Sequence, residues 1–246
     1  MSKILVIDDE KATLSMFKML LSVYGHDVLT AENGEVGIEL FAAEKPDLVM
    51  TDIKMPGMDG LQVLGKIKAM SPDAEVIVIT GHGDMELAIK ALNLDATDFL
   101  NKPVKREDLE KALHLSAERR AFVTDKRDEV QINIEGDIAV VNVMGSLTSK
   151  SDVSLNEVFG KAFSSGCHDL LLVFQEKSSI NGGGMDTLVE CIKKARDQKC
   201  KVHIAGLSDN FQTVFESMGI SAMASMSETE DEARSKVASS LGNNYR

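Results

Sequence analysis

Short apolar runs alternate with amphipathic segments along the first 120 residues of the chain. The unbroken runs are typical of fully buried strands in a parallel sheet, because helices cover both faces of such a sheet. The predicted strands cover residues 4–7, 28–30, 48–51, 76–79 and 98–100. A last amphipathic helix is predicted over 106–122. The pattern therefore predicts five β/α units, an α/β fold with a doubly wound five-stranded parallel sheet.

The pattern changes in the second half of the chain. Two adjacent apolar runs at 130–134 and 138–143 are separated by a tight turn, which predicts a β-hairpin. Helices and strands then alternate again, with a buried strand at 170–174. A glycine-rich loop over 178–184 leads into a helix predicted over 185–198. These elements indicate a second α/β unit that starts with a hairpin.

The length of the chain, 246 residues, is enough for two ordinary domains. A charged run at 124–129 has no apolar face to bury and divides the two patterns. We therefore predict a first domain over 1–122, a linker over 123–129 and a second domain over 130–246.

The charge of the chain argues against a nucleic-acid partner. Lys and Arg number 27 against 39 Asp and Glu, which gives a net charge of −12. Neither half carries the basic face that neutralises nucleic-acid phosphates. No run of apolar residues is long enough for a membrane helix, and no secretory signal opens the chain. The three cysteines lack metal-site spacing, so we expect buried thiols in a reducing cytoplasm.

Polar residues with chemical potential follow the predicted strands. Asp8 and Asp9 follow the first strand, Asp52 follows the third, Thr80 the fourth and Lys102 the fifth. The carboxyl ends of parallel strands meet at one edge of the sheet, so these side chains should share a pocket. Three carboxylates repel one another unless a cation offsets them, and hard oxygen ligands suit Mg²⁺. The sequence therefore predicts a magnesium-dependent site for phosphoryl transfer.

The order and spacing of these motifs resemble a two-component response-regulator receiver domain over residues 3 to about 120. The matching features are Asp8-Asp9, the run from Asp52 to Gly60, Thr80-Gly81, Phe99 and Lys102-Pro103. The resemblance implies a flavodoxin-like doubly wound sheet. It also implies a partner that donates a phosphoryl group, either a cognate histidine kinase or a phosphotransfer protein.

The resemblance implies a role for each residue that would meet the phosphoryl group. Asp52 is the implied phosphoacceptor, Lys102 its ion-pair partner and Thr80 a hydrogen-bond donor. Movement of Thr80 toward the phosphoryl group would vacate space into which Phe99, the implied switch residue, rotates. The alternative for Phe99 is a core aromatic residue with no switching role. The Lys102–Pro103 peptide bond is implied to be cis.

The implied cofactor is Mg²⁺. By the same resemblance, the ion is held by Asp9, Asp52 and the backbone carbonyl of Lys54. Asp8 contributes to the ion through water. Taken singly, each of these acids could equally be a helix cap or a solvated carboxylate, and their joint occurrence at successive strand ends favours the site.

The second half resembles a STAS domain, the fold of anti-sigma factor antagonists, over about residues 130–242. The strings at 140–147, 180–185 and 201–208 carry the resemblance, which implies a mostly parallel mixed sheet. The position of the regulatory serine in that family is Gly182 here, and glycine has no hydroxyl to phosphorylate. The output loop consists of Asn181, Gly182, Gly183 and Gly184. Its glycines allow either close strand-to-helix packing or a helix N-terminus that is open to a partner or an anion.

These features lead to a hypothesis in which the regulatory switch has moved from the second domain to the first. Phosphorylation of Asp52 would expose or hide the output loop, which would bind an anti-sigma factor or a related serine kinase. The alternative is a ligand-sensing or oligomerisation module, with a homodimer as the partner. The sequence shows no set of nucleophile, base and orienting residue that would make the second half catalytic, and His168 and His203 are interpreted as structural.

Overall fold

The computed structural model of the chain describes residues 1–81, 84–122, 129–175 and 178–242. It divides into two compact units, Met1–Arg120 and Ala121–Arg246. Apart from Glu129, the predicted linker lies outside the described residues.

The first unit is a five-stranded parallel sheet with helices between the strands. Its strands are β1 (Lys3–Ile7), β2 (Asp27–Ala31), β3 (Leu48–Asp52), β4 (Glu75–Thr80) and β5 (Asp98–Asn101). Its helices are α1 (Lys11–Val23), α2 (Gly34–Glu44), α3 (Gly60–Met70), α4 (Met85–Asn93) and α5 (Arg106–Phe122). The strand order is β2-β1-β3-β4-β5, with every pair parallel. The predicted doubly wound fold is confirmed.

The apolar runs form the centre of this sheet. The side chains of β1 from Ile4 to Ile7 are fully buried, and so are those of β4 from Val76 to Ile79. Phe17 and Leu21 of α1 pack into the same core. Helices cover both faces of the sheet, and these strands are therefore apolar at every position and buried on both sides.

The second unit contains a mixed sheet and four helices in the part of the chain that is described. Its strands are β6 (Val130–Glu135), β7 (Ile138–Val143), β8 (Ser146–Leu147), β9 (Asp169–Phe174), β10 (Ser179–Ile180), β11 (Lys201–Ala205) and β12 (Ser225–Ser227). Its helices are α6 (Asp152–Ser164), α7 (Gly182–Asp197), α8 (Asp209–Ser217) and α9 (Glu230–Gly242). The main sheet has the order β12-β11-β9-β7-β6, in which only β6 and β7 are antiparallel. The predicted hairpin and mostly parallel sheet are confirmed.

One boundary of the second unit differs from the prediction. The helix expected from Met185 begins at Gly182, so Gly182, Gly183 and Gly184 form its first turn instead of a loop. The helix starts early because the side chain of Asn181 caps it, with Oδ1 accepting from the backbone N–H of Gly184 at 3.0 Å. Glycines carry little helix propensity, so sequence spacing alone placed the boundary too late.

The three cysteines, Cys167, Cys191 and Cys200, are buried and free, as predicted. Burial raises the pKa of the Cys200 thiol to about 11, which keeps it protonated and apolar in character. Among the helices described, none combines the length and the apolar character that a membrane crossing needs.

Candidate functional site

The carboxyl ends of the strands in the first unit bring two acids and one lysine into contact. Asp8 follows β1, Asp52 ends β3 and Lys102 follows β5. The ammonium of Lys102 lies 2.6 Å from Oδ1 of Asp52 and 3.2 Å from Oδ2 of Asp8. One cation therefore bridges two carboxylates from strands that are neighbours in the sheet.

These groups lie in surroundings of low polarity. Asp8 is 0% exposed and Asp52 is 5% exposed, whereas the Lys102 side chain is 34% exposed. Burial raises the pKa of Asp52, although Lys102 opposes this shift. Burial would lower the pKa of Lys102, but the hydrogen bond and charge of Asp52, together with Asp8, outweigh it and raise that pKa. Attraction thus favours the charged ammonium of Lys102, whereas burial outweighs attraction at the carboxylate of Asp52.

The backbone after Asp52 folds tightly around its carboxylate. The N–H of Lys54 donates to Oδ2 of Asp52 at 2.9 Å, which fixes the orientation of the carboxylate. Helix α3 begins at Gly60, whose backbone N–H donates to the carbonyl of Ile53 at 2.9 Å. A Cβ at Gly60 would overlap the Asp52 carbonyl and lie 2.8 Å from Cα of Ile53. The final glycine of the motif is therefore required by the close approach of α3 to the site.

Thr80 ends β4 at the same edge of the sheet and is buried. Its backbone carbonyl accepts from the N–H of Lys102 at 2.7 Å, but its hydroxyl has no hydrogen-bond partner among the described residues. A buried hydroxyl that makes no hydrogen bond carries a cost in free energy, and that cost is recovered when a further group binds to it. Phe99 is fully buried in β5, and the Lys102–Pro103 peptide bond is cis, as the resemblance implies.

The donor set at this edge suits a divalent cation. Asp8, Asp9 and Asp52 carry three negative charges against the single positive charge of Lys102. Asp9 is exposed, unlike its two acidic neighbours. In the described parts of the chain, no three His, Cys, Asp or Glu side chains are arranged to hold a metal ion by themselves. An ion here would therefore need backbone or water oxygens as well.

The predicted output residues lie together in the first turn of α7. Asn181 is buried, and its N–H donates to the Leu147 carbonyl at 3.0 Å. A Cβ at Gly184 would overlap that carbonyl and lie 2.9 Å from the backbone nitrogen of Thr148. Of the two interpretations of the glycines, close packing of helix against strand is the one that the geometry supports at Gly184.

The hydroxyls that flank this turn are engaged in local hydrogen bonds. Ser178 Oγ donates to the carbonyl of Gln175 at 2.7 Å, and Thr187 Oγ1 donates to the carbonyl of Gly183 at 3.2 Å. Ser179 and Ser146 share a hydrogen bond of 2.9 Å between their hydroxyls. Ser178 thus closes a turn, Ser179 connects β10 to β8 through Ser146, and Thr187 bonds within α7.

The structure also brings together three polar residues of the second unit that the sequence does not connect. Nε2 of the buried His203 lies 2.9 Å from Oδ1 of Asp169, and Nδ1 lies 2.7 Å from Oγ of Ser225. The three residues lie on β9, β11 and β12, and this contact between distant parts of the chain was not predicted from the sequence. The two ring nitrogens are used in the opposite order from the hydrolase triad. Both are satisfied, as predicted for a structural histidine.

Two family models match the chain in the order that the folds indicate. The response regulator receiver domain matches residues 4–114, and the STAS domain matches residues 129–233.

Known proteins resemble the chain mainly through one half of its length. Transcriptional regulatory protein GlrR of Escherichia coli (strain K12) is 33% identical over 153 residues, which are 62% of this chain and 34% of that protein. DNA-binding transcriptional regulator NtrC of the same organism is 30% identical over 148 residues, 60% of this chain and 30% of that protein. The chain thus spans about a third of the length of these curated relatives.

Among solved structures, a response regulator receiver domain protein from Clostridium thermocellum is 40% identical. The match covers 50% of this chain and 100% of that chain, with a TM-score of 0.49. Receiver homology supports a two-component response regulator, and the two domains together fit a regulatory protein. The chain is a response regulator receiver domain fused to a STAS domain.

Proposed function

We propose that this chain is a cytoplasmic response regulator in which Asp52 accepts a phosphoryl group from a phosphohistidine. The donor is a cognate histidine kinase or a phosphotransfer protein. The observation that carries the proposal is the pocket itself, where Lys102 bridges the buried Asp52 and Asp8, and where the Thr80 hydroxyl at the same sheet edge has no partner among the described residues. Lys102 supplies an ammonium and Thr80 supplies a hydroxyl, and both are donor types that bind phosphoryl oxygens.

The residues of the pocket divide the work of the transfer. A carboxylate oxygen of Asp52 attacks phosphorus, the bond from phosphorus to the donor imidazole breaks, and the imidazole regains a proton from solvent. The N–H of Lys54 holds the carboxylate in position during the attack. Lys102 pairs with the phosphoryl oxygens as charge develops, and Thr80 donates a hydrogen bond to one of them. The product is an acyl phosphate on Asp52.

Mg²⁺ is the proposed cofactor of this step. Asp9, Asp52 and the backbone carbonyl of Lys54 would hold it, with Asp8 acting through water. When bound, the ion neutralises negative charge on the transferring phosphoryl group. The excess of carboxylates over cations at this edge of the sheet supports the assignment.

The output of the protein is proposed to be protein binding by the STAS domain. The first turn of α7, from Asn181 to Gly184, would contact an anti-sigma factor or a related serine kinase. Support comes from the STAS match and from the absence of a hydroxyl at residues 181–184, which leaves Asp52 as the input. The net charge of −12 favours a protein partner over nucleic acid. Thr80 and Phe99 would transmit the change within the receiver domain.

The test is partner capture by the full chain with and without an acyl-phosphate donor and Mg²⁺. We expect recovery of an anti-sigma factor or serine kinase to change several-fold between the two states, and Asp52→Asn to abolish the change. Equal recovery in both states, or no such partner, would contradict the output proposal. A self-association constant or small-ligand affinity that depends on phosphorylation would instead establish the alternative, an oligomerisation or ligand-sensing module.

A further inference from the structure

An ion pair crosses the edge of the phosphoacceptor pocket without touching its two buried acids. The ammonium of Lys54 lies 2.7 Å from Oδ2 and 2.9 Å from Oδ1 of Asp84. Lys54 belongs to the turn after β3, and Asp84 immediately precedes α4. The Lys54 side chain is 66% exposed and that of Asp84 is 21% exposed. The pair therefore connects two segments that are far apart in sequence and close at the site.

Asp84 is well placed to affect the start of α4. Its carbonyl accepts from the backbone N–H groups of Leu87 at 2.9 Å and Ala88 at 3.1 Å, which form the first turn of the helix. Its carboxylate turns back over Gly81, where a Cβ would lie 2.9 Å from Oδ2. Gly81 directly follows Thr80, so this glycine gives the carboxylate the space it needs to reach Lys54.

The backbone of Lys54 lies at the phosphoacceptor. Its backbone N–H already contacts Oδ2 of Asp52 at 2.9 Å. The lysine stem is flexible, and its ammonium acts as a point charge that can change partners. A phosphoryl group on Asp52 would bring a charge of about −1.5 to −2, which exceeds the single charge of Asp84. The lysine end of the existing pair is 66% exposed, which weakens the pair, so a stronger anion can displace Asp84.

We propose that the ammonium of Lys54 exchanges ion-pair partners when Asp52 is phosphorylated. It moves from Asp84 to the phosphoryl group, and the loss of the ion pair at Asp84 loosens the first turn of α4. The inference rests on the proposed function, since it requires phosphorylation of Asp52. In this inference the side chain of Lys54 acts on the first turn of α4 through Asp84, which is a role separate from that of its backbone carbonyl. It also provides a connection from the pocket to α4 that is separate from Thr80 and Phe99.

The experiment measures amide hydrogen exchange at Leu87 and Ala88 by NMR in the full chain, before and after treatment with acetyl phosphate and Mg²⁺. The variants are Lys54→Met, Lys54→Arg, Asp84→Asn and the double variant Lys54→Met/Asp84→Asn. Lys66→Met is the matched control, because Lys66 is an exposed lysine on α3. Intact mass reports whether a phosphoryl group has been added.

Without phosphorylation, we expect Lys54→Met and Asp84→Asn to exchange about two- to fivefold faster than the unmodified chain, as for loss of one exposed ion pair. The double variant should match the single ones, and Lys54→Arg and Lys66→Met should match the unmodified chain. Phosphorylation should accelerate exchange in the unmodified chain to the level of Lys54→Met, and should change Lys54→Met little.

The two ways in which this can fail are distinguishable. A mass gain of one phosphoryl group on Asp52 with unchanged exchange at Leu87 and Ala88 overturns the partner exchange alone. Wild-type exchange in Lys54→Met and Asp84→Asn has the same meaning. Absence of any mass gain in the unmodified chain overturns the proposed function, and this inference with it.

Discussion

The pocket around Asp52 and the first turn of α7 both follow strands of a parallel sheet, yet their polar groups are satisfied in opposite ways. In the pocket, two buried carboxylates share one ammonium, and the Thr80 hydroxyl has no partner among the described residues. At α7, the backbone N–H of Asn181 donates to the Leu147 carbonyl of β8, and its side chain caps the helix. The first region leaves polar groups available to a further ligand, whereas the second satisfies its own polar atoms.

The two regions nevertheless share one steric feature. A glycine near the start of each helix, Gly60 in α3 and Gly184 in α7, lies against a backbone carbonyl with no space for a side chain. Each helix is thereby brought close to its neighbouring strand. The comparison therefore separates chemistry, which differs between the regions, from packing, which is the same in both.

The largest expected effect comes from removing the cation of the pocket. Lys102→Met should lower the rate of phosphoryl incorporation from acetyl phosphate about 100-fold, because the transferring group loses its charge partner. Lys66→Met should leave the rate unchanged. The measurement is incorporation followed by intact mass at a temperature where circular dichroism shows each variant folded. A rate within threefold of the unmodified chain would remove the chemical half of the comparison.

Substitution of the two packed glycines should destabilise both regions alike. Gly60→Ala and Gly184→Ala should each cost about 1–3 kcal/mol, because the new methyl group overlaps a backbone carbonyl. Gly65→Ala in α3 and Gly160→Ala in α6 meet no atom within 4 Å and should stabilise their helices by about 0.5–1 kcal/mol. Urea denaturation of the four variants measures these differences. Equal effects at packed and open positions would contradict the shared packing.

A buried acid beside Phe99 should give the first domain a distinct pH dependence. Burial raises the pKa of Asp98 from 3.8 to about 6, although the N–H of Phe99 donates to its Oδ1 at 2.8 Å and opposes the shift. The folded protein therefore binds more protons at Asp98 than the unfolded chain between these values, so stability falls as pH rises through that window.

Asp98→Asn should accordingly stabilise the protein by about 1–2 kcal/mol at pH 8 and have little effect near pH 4. Urea denaturation at both pH values measures the change. A variant that is destabilised equally at the two pH values would show that burial does not raise the pKa of this carboxyl.

The smallest effect is expected at the helix caps. Asn181→Ala should destabilise the second domain by about 1 kcal/mol, because the amide of Gly184 loses its acceptor. Asp59→Ala is the counterpart in the first domain, where Asp59 caps α3 in a reciprocal pair with Gln62. Urea midpoints of the two variants provide the comparison. No change for Asn181→Ala would mean that the start of α7 does not depend on its cap.

Unbroken apolar runs and residues at successive strand ends were predictable from the sequence, whereas other contacts between distant side chains were not. The unbroken apolar sequences of β1 and β4 predicted strands that are buried on both faces of the sheet, and both strands are buried in this way. Asp8, Asp52, Thr80 and Lys102 could be grouped because strand ends in a parallel sheet share an edge. The start of α7 at Gly182 was missed because a single Asn cap overrides the low helix propensity of three glycines.

Two contacts had no signal in the sequence. Lys54 and Asp84 meet only because Gly81 lets the carboxylate turn back, and neither residue type nor spacing indicates this. His203 is paired in register with Ser225 of β12, whereas Asp169 of β9 is paired with Lys201 and reaches His203 from two residues along the strand. Register between strands that are distant in sequence depends on the whole fold, so local patterns do not determine it.

The site of phosphorylation tests the central claim most directly. The full chain is treated with acetyl phosphate and Mg²⁺, and phosphorylated residues are mapped by mass spectrometry under conditions that preserve acyl phosphates. We predict one phosphoryl group, on Asp52, none on residues 178–187, and none at all in Asp52→Asn. Phosphorylation of a serine or threonine in the second domain, or unchanged incorporation in Asp52→Asn, would contradict the account.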